Sequence, residues 1–91
     1  MISLETVGYI RNVHRALDND RRSDIFNMLL ESGPLTVTDI YIKLRRGQSS
    51  TSQDLAIMRK AGVLNEERSG IYIYYSVNRD NPYFKMYCNE K

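Results

Sequence analysis

Apolar residues recur along the chain at intervals that change twice, and each change marks an element boundary. Leu4, Val7, Ile10, His14 and Leu17 are spaced by three and four, which is one face of a helix over about residues 3–17. Asp18-Asn19-Asp20 interrupts it, and Asn19 or Asp20 is placed to cap the next helix by accepting from free backbone N–H groups. That second helix, about 20–32, buries Ile25, Met28, Leu29 and, beside them, Phe26. Ser32-Gly33-Pro34 ends it, because Gly suits a left-handed cap and Pro cannot continue a helix. Thr36 or Thr38 opens a short third helix with Val37, Ile40, Tyr41 and Leu44 for the core, and Gly47 closes it after Arg45-Arg46. In a fourth helix, about 48–61, Thr51, Leu55, Met58 and Gly62 form one stripe. Ser49, Gln53, Ala56 and Lys60 fall on the opposite face. Ser49 or Gln48 is expected to cap this helix.

Past Gly62 the period becomes extended. Val63 to Arg68 reads as a strand, Ser69-Gly70 as a turn and IYIYYSV as a second strand, since Tyr and β-branched residues suit a pleated surface. Asn78 to Asn81 breaks the strand. Pro82 suits the first turn of a last helix over about 81–89, with Tyr83, Phe84 and Tyr87 on its apolar face. The order is α-α-α-α-β-β-α, a mainly α chain with a small β-hairpin (α+β). Helices joined by a tight Gly-containing turn and followed at once by a hairpin describe a winged helix-turn-helix. Ninety-one residues without repeat or linker predict one domain, 1–91.

Composition narrows the class. An apolar content of 42% with 26% charged residues is ordinary for a globular domain. No apolar run approaches the ~18 residues of a membrane span, and the first residues lack a signal-peptide pattern. The single cysteine, Cys88, excludes an internal disulfide and agrees with a reducing cytoplasm. The net charge of +2 does not by itself announce a nucleic-acid binder. Its distribution does more: between residues 40 and 60, Lys43, Arg45, Arg46, Arg59 and Lys60 face a single acid in the fourth helix, Asp54.

With that order in place, three stretches resemble the ArsR-type family of winged-helix transcriptional regulators, over about residues 14–78. They are HRALDNDRRSDIFNMLL, with Arg22 where the family usually has arginine, QSSTSQDLAIMRKAGVL, similar to the family's recognition helix, and GIYIYYSVN, similar to its second wing strand. The resemblance implies a homodimer that pairs through its first and last helices. It also implies a fourth helix in the major groove of an inverted repeat in double-stranded DNA, with the hairpin 63–77 as the wing. Two departures stand out. The family's Cys-x-Cys metal box falls on PLTVTDI, with Thr36 and Thr38 in place of thiolates, and hydroxyls of ordinary pKa do not hold soft metals. The other family site needs Asp and His on the last helix, whereas the one histidine, His14, lies on the first. No metal or cofactor is therefore expected. Asp54 stands where the family more often has a neutral or basic residue, and an acid near phosphates costs affinity unless it accepts from cytosine or pairs within the protein.

Candidate DNA contacts follow from chemistry. Gln reads adenine with two hydrogen bonds, and hydroxyls bond phosphate oxygens. Gln48, Ser49, Ser52 and Gln53, with Ser50 close by, are therefore the expected reading face, with Thr51 turned into the core. Arg45, Arg46, Arg59 and Lys60 are expected at the backbone, and Arg68 at the wing tip, where Glu66 and Glu67 weaken the positive potential. Tyr72, Tyr74 and Tyr75 read as packing residues rather than a stacking platform. His14 reads as a core or dimer-interface residue, and its pairing with Cys88 around a metal has no spacing motif to support it. No phosphate loop, His-rich motif or activated nucleophile points to an enzyme. The rival to the DNA reading is a protein-interaction module, favoured by Asp54, Glu66 and Glu67.

Overall fold

The computed structural model describes the backbone of residues 4–81 and side chains from residue 11 onward. The expected last helix over 81–89, with Cys88, lies outside the described residues beyond Asn81, as do the side chains of Leu4, Val7 and Ile10.

Helix α1 spans Leu4–Leu17 and α2 Asp20–Ser32. Asn19 caps α2: its Oδ1 accepts from Arg21 N at 2.9 Å and Arg22 N at 3.2 Å. The chain then makes a two-residue strand, β1 (Leu35–Thr36), which the periodicity had not revealed. Helix α3 (Val37–Leu44) follows directly, opened by a capping box in which Asp39 N donates to Thr36 Oγ1 at 3.1 Å and Thr36 N to Asp39 Oδ2 at 3.3 Å. Helix α4 covers Gln48–Lys60, and strands β2 (Leu64–Ser69) and β3 (Tyr72–Val77) form the expected hairpin.

The sheet has three antiparallel strands in the order β1-β3-β2, so the two-stranded hairpin foreseen from sequence is incomplete. Leu35 pairs with Tyr75 and Thr36 with Tyr74, which pins the α2–α3 connection to the central strand. Two residues are too short a run to register as a period of two.

The α3–α4 turn also differs from expectation. Gly47 does not close α3. Arg45 does, in the left-handed conformation at φ 56° and ψ 50°, while Gly47 has an ordinary φ of −70° and precedes α4. Positive φ is taken instead by three glycines: Gly33 after α2 (φ 83°, with ψ −163° rather than the left-handed helical value expected of that cap), Gly62 before β2 (φ 82°) and Gly70 at the hairpin turn (φ 64°). Side-chain amides of Asn78 and Asn81 both donate to the Gly62 carbonyl, at 2.9 and 2.8 Å, and tie the end of β3 to the start of β2.

The core is contiguous. Val13, Ile25, Phe26, Leu29, Ile40, Leu55, Met58, Val63, Leu64 and Val77 are buried, with Leu17, Leu30, Leu35, Val37, Leu44 and Tyr75 packed against them. Thr51 is buried with the α4 stripe, as its spacing implies. Two assignments change. On α1 the core face is Val13 and Ala16, and His14 is exposed rather than in the core. On α2 Phe26 is fully in the core and Met28 only half-buried. In the sheet Tyr75 and Tyr74 are half-buried, as a packing role requires, but Tyr72 is 56% exposed at the hairpin end, its ring 6.4 Å from that of Tyr74.

Candidate nucleic-acid interface

Helix α4 presents one face to the core and the other to solvent. Thr51, Asp54, Leu55 and Met58 are buried, while Gln48, Ser49, Ser50, Ser52 and Gln53 are all exposed. The five polar candidates thus share the first two turns of one helix. None of them caps it. The N-cap is Gly47, which has no side chain to accept, and Ser50 Oγ donates to the Gly47 carbonyl at 3.2 Å instead. The capping role expected of Gln48 or Ser49 is therefore not filled. Thr51 N bonds Gly47 O at 3.1 Å, and the N–H groups before it lie in the first turn, where a helix supplies no partner. Such a terminus favours anions through both its free donors and its dipole.

The basic candidates separate. Arg45 is exposed at the end of α3, next to the α4 N-terminus. Arg46 is engaged with α2: its Nη2 meets Asp24 Oδ2 at 2.8 Å and its Nη1 donates to the Arg21 carbonyl at 3.2 Å. Arg59 leans to the wing, with Nε 3.6 Å from Glu66 Oε1. Lys60 lines a shallow groove with Asn12, Arg15 and Ile57, twelve residues and about 18 Å along the helix axis from Gln48. Arg68 is exposed near the end of β2, across from Ile73, and the adjoining turn carries the 86%-exposed Ile71.

Of the two ways Asp54 could be tolerated beside phosphates, the fold takes pairing within the protein. Asp54 does not face solvent on the polar side of α4: it is 3% exposed. Its carboxylate accepts from Arg21 Nε at 3.1 Å, Arg21 Nη2 at 3.5 Å and Arg22 Nη1 at 3.1 Å. Arg22 also donates to the carbonyls of Ala16 at 2.7 Å and Arg15 at 3.3 Å, so one guanidinium joins the end of α1, α2 and α4. The hydrogen bond to Asp54, and after it the carboxylate's charge, raise the Arg21 pKa above its ordinary value. Glu66 is likewise occupied, because Tyr75 Oη donates to its Oε2 at 3.1 Å while Arg59 approaches the other oxygen. Burial, then the bond to Glu66, push the Tyr75 pKa up. Glu67 remains exposed on β2. A lone acid in a basic stretch was the available hint that Asp54 had partners elsewhere.

Arg45 is a non-glycine residue held left-handed, which costs roughly 1–2 kcal/mol, partly offset against Gly by the greater freedom of an unfolded glycine. Arg45→Gly is therefore expected to raise the melting temperature by a few degrees in a thermal denaturation followed by circular dichroism. If Arg45 serves the exposed face of α4, the same variant loses affinity for duplex DNA as it gains stability.

At the positions of the family's Cys-x-Cys box the side chains present do not suit a soft metal. Thr36 Oγ1 accepts from Asp39 N in the α3 cap, and neither it nor Thr38 is a thiolate.

Comparison with known proteins agrees with the fold. The profile of the bacterial regulatory protein arsR family matches residues 19–66, from the α2 cap into β2. The transcriptional repressor SdpR of Bacillus subtilis is 35% identical over 69 residues, covering 76% of this chain and 76% of SdpR. The chain spans 55% to 64% of several longer relatives. The crystal structure of the transcriptional repressor PagR of Bacillus anthracis superposes with a TM-score of 0.78 at 34% identity, covering 88% of both chains. The solution structure of the homodimeric winged helix-turn-helix DNA-binding domain of Mb0332 from Mycobacterium bovis gives 0.77 over 82% of this chain and 68% of that one, at 24% identity, a likeness of fold. With its capped helices, its paired wing and this span of sequence agreement, the chain belongs to the arsR family of bacterial regulatory proteins and is a winged helix-turn-helix regulator of transcription.

Proposed function

We propose that the chain is a cytoplasmic, homodimeric repressor that binds an inverted repeat in double-stranded DNA, with α4 in the major groove and the β2–β3 hairpin as the wing. The observation that carries this reading is the start of α4: an N-terminus without a side-chain cap, surrounded by exposed Gln48, Ser49, Ser50, Ser52 and Gln53 and flanked by Arg45. In this reading Gln48 and Gln53 meet base edges, the serines and free N–H groups meet phosphates, and Arg45 and Arg68 steady the backbone on either side. Arg46 and Arg59, drawn to Asp24 and Glu66, contribute positive potential rather than direct contacts, and Lys60 does the same because it lies about 18 Å along α4 from Gln48. The likeness to SdpR and PagR, both named as repressors, and to the homodimeric Mb0332 domain supports the same reading.

Two of the three acids that favour a protein-interaction module in sequence are occupied by internal partners, so that alternative loses most of its motive. Selection of bound duplexes from a random pool, followed by shift assays, tests the proposal. The expected result is a two-fold-symmetric site bound more tightly than random duplex, with affinity falling as salt rises. Equal, weak binding to every sequence at low salt would sink it. Because Thr36 and Thr38 replace the family's thiolates, zinc(II) or arsenite added to the same assay is expected to leave the binding curve in place.

A further inference from the structure

We propose that Arg21 is a backbone-phosphate contact, held in position by the buried Asp54, an inference that rests on the DNA-binding reading above. Arg21 lies in the first turn of α2, outside the helix that carries the reading face. Its side chain is 51% exposed although one edge is fixed, with Nε and Nη2 on the two oxygens of a carboxylate that is itself 4% exposed. Among the described residues its Nη1 donates to nothing, so one edge of the fork faces solvent.

The charge count favours an anion there. Arg21 and Arg22 share the single carboxylate of Asp54, which leaves the triad with a surplus positive charge. Asp24, on the same face of α2 one turn along, is taken by Arg46 at 2.8 Å. Asp18 and Asp20, both exposed at the α1–α2 junction, are the neighbouring acids in sequence that remain against the surplus.

Position favours DNA as the source of the anion. Arg46 donates to the Arg21 carbonyl, which places the start of α2 against the α3–α4 turn and its exposed Arg45. Asp54 directly follows Gln53 and lies one turn after Ser50, so the tether reaches Arg21 from the middle of the candidate reading helix. A free arginine surrenders much of its rotamer freedom when it grips a phosphate. An arginine already fixed along one edge has less to surrender, and its planar fork still offers donors on the other. Asp54 thus acts as a positioning residue: an acid in the recognition helix that orients a cation toward the backbone.

The test uses the full chain and fluorescence anisotropy against the duplex recovered from the random pool and against random duplex. Arg21→Gln is expected to weaken both by roughly tenfold per protomer, the worth of one charge-assisted contact. It should also lower the slope of log affinity against log salt by about 0.9 per protomer. Arg21→Lys should restore the slope. A second measurement separates contact from folding. Neutral methylphosphonates are placed one at a time along the site; one position should weaken the wild type and leave Arg21→Gln unaffected. An unchanged salt slope in a folded Arg21→Gln protein, or equal methylphosphonate sensitivity at every position, overturns the proposal while leaving the DNA reading intact. Failure of the wild type to bind the selected duplex overturns that reading, and this proposal with it.

Discussion

Asp54→Ala is expected to cost about 3 kcal/mol of stability and to weaken DNA binding rather than strengthen it. The two parts follow from the same geometry. Removing the carboxylate leaves Arg22, whose side chain is 13% exposed, as a buried cation with only the Ala16 and Arg15 carbonyls for acceptors. Breaking a buried pair from one side typically costs 3–5 kcal/mol. The lower end applies because Arg21 can turn to water and Arg22 keeps its two carbonyl bonds. Arg21→Ala makes the contrast: it leaves Asp54 paired with Arg22, and a half-exposed ion pair contributes about 0–1 kcal/mol. Urea unfolding at one fixed protein concentration measures both, with the midpoint shifted and the slope unchanged. A loss below about 1 kcal/mol for Asp54→Ala would mean that the buried triad is not held together as the geometry describes. For binding, the sign decides between two roles. An acid facing phosphates predicts tighter binding on its removal, and an acid that fixes α4 against α2 and orients Arg21 predicts looser binding at every sequence.

Asp54 also marks the limit of what the sequence discloses. Local signals were sufficient for most of the frame. The α4 stripe placed Thr51 in the core, Asn19 was one of two residues named for the α2 cap, and a Tyr-rich run after Ser69-Gly70 described the hairpin. These depend on neighbours within one or two turns, where periodicity and capping chemistry act. The features that escaped depend on partners far along the chain. Asp54 is neutralised by residues 32 and 33 positions away, and Arg46 is claimed by Asp24, 22 positions away. Strand β1 exists only because Tyr74 and Tyr75 pass beside it. The left-handed turn is a different kind of miss. A glycine two positions away was the cheaper candidate, yet the helix ends at Arg45, and backbone energetics alone favour the glycine. The candidate site was legible as a list of polar residues on one helix. Which cations stand free beside it was not, since that is settled by acids on other elements.

Gln53→Ala is expected to erase much of the sequence preference while leaving the fold intact. Gln53 is exposed on the second turn of α4, and neither the core nor any described hydrogen bond uses its amide, so truncation costs little stability. Its amide can offer one donor and one acceptor to an adenine edge, and a good bidentate pair discriminates by about 1–3 kcal/mol. In a homodimer on an inverted repeat the loss occurs in both half-sites, so the expected decrease in specificity is about 2–6 kcal/mol if the two add. The measurement is the ratio of affinities for the selected duplex and for a duplex altered at one base pair in each half-site. In the wild type that ratio is large at the base pair Gln53 meets; in the variant it collapses toward one there and persists elsewhere. Affinity for random duplex and its salt dependence should be unchanged, because a neutral amide releases no counterions. Arg45→Ala gives the opposite pattern, a uniform loss across sequences with a shallower salt slope. If Gln53→Ala instead behaves like Arg45→Ala, the second turn of α4 lies along the backbone, and the reading face must be reassigned toward Gln48 and the first turn.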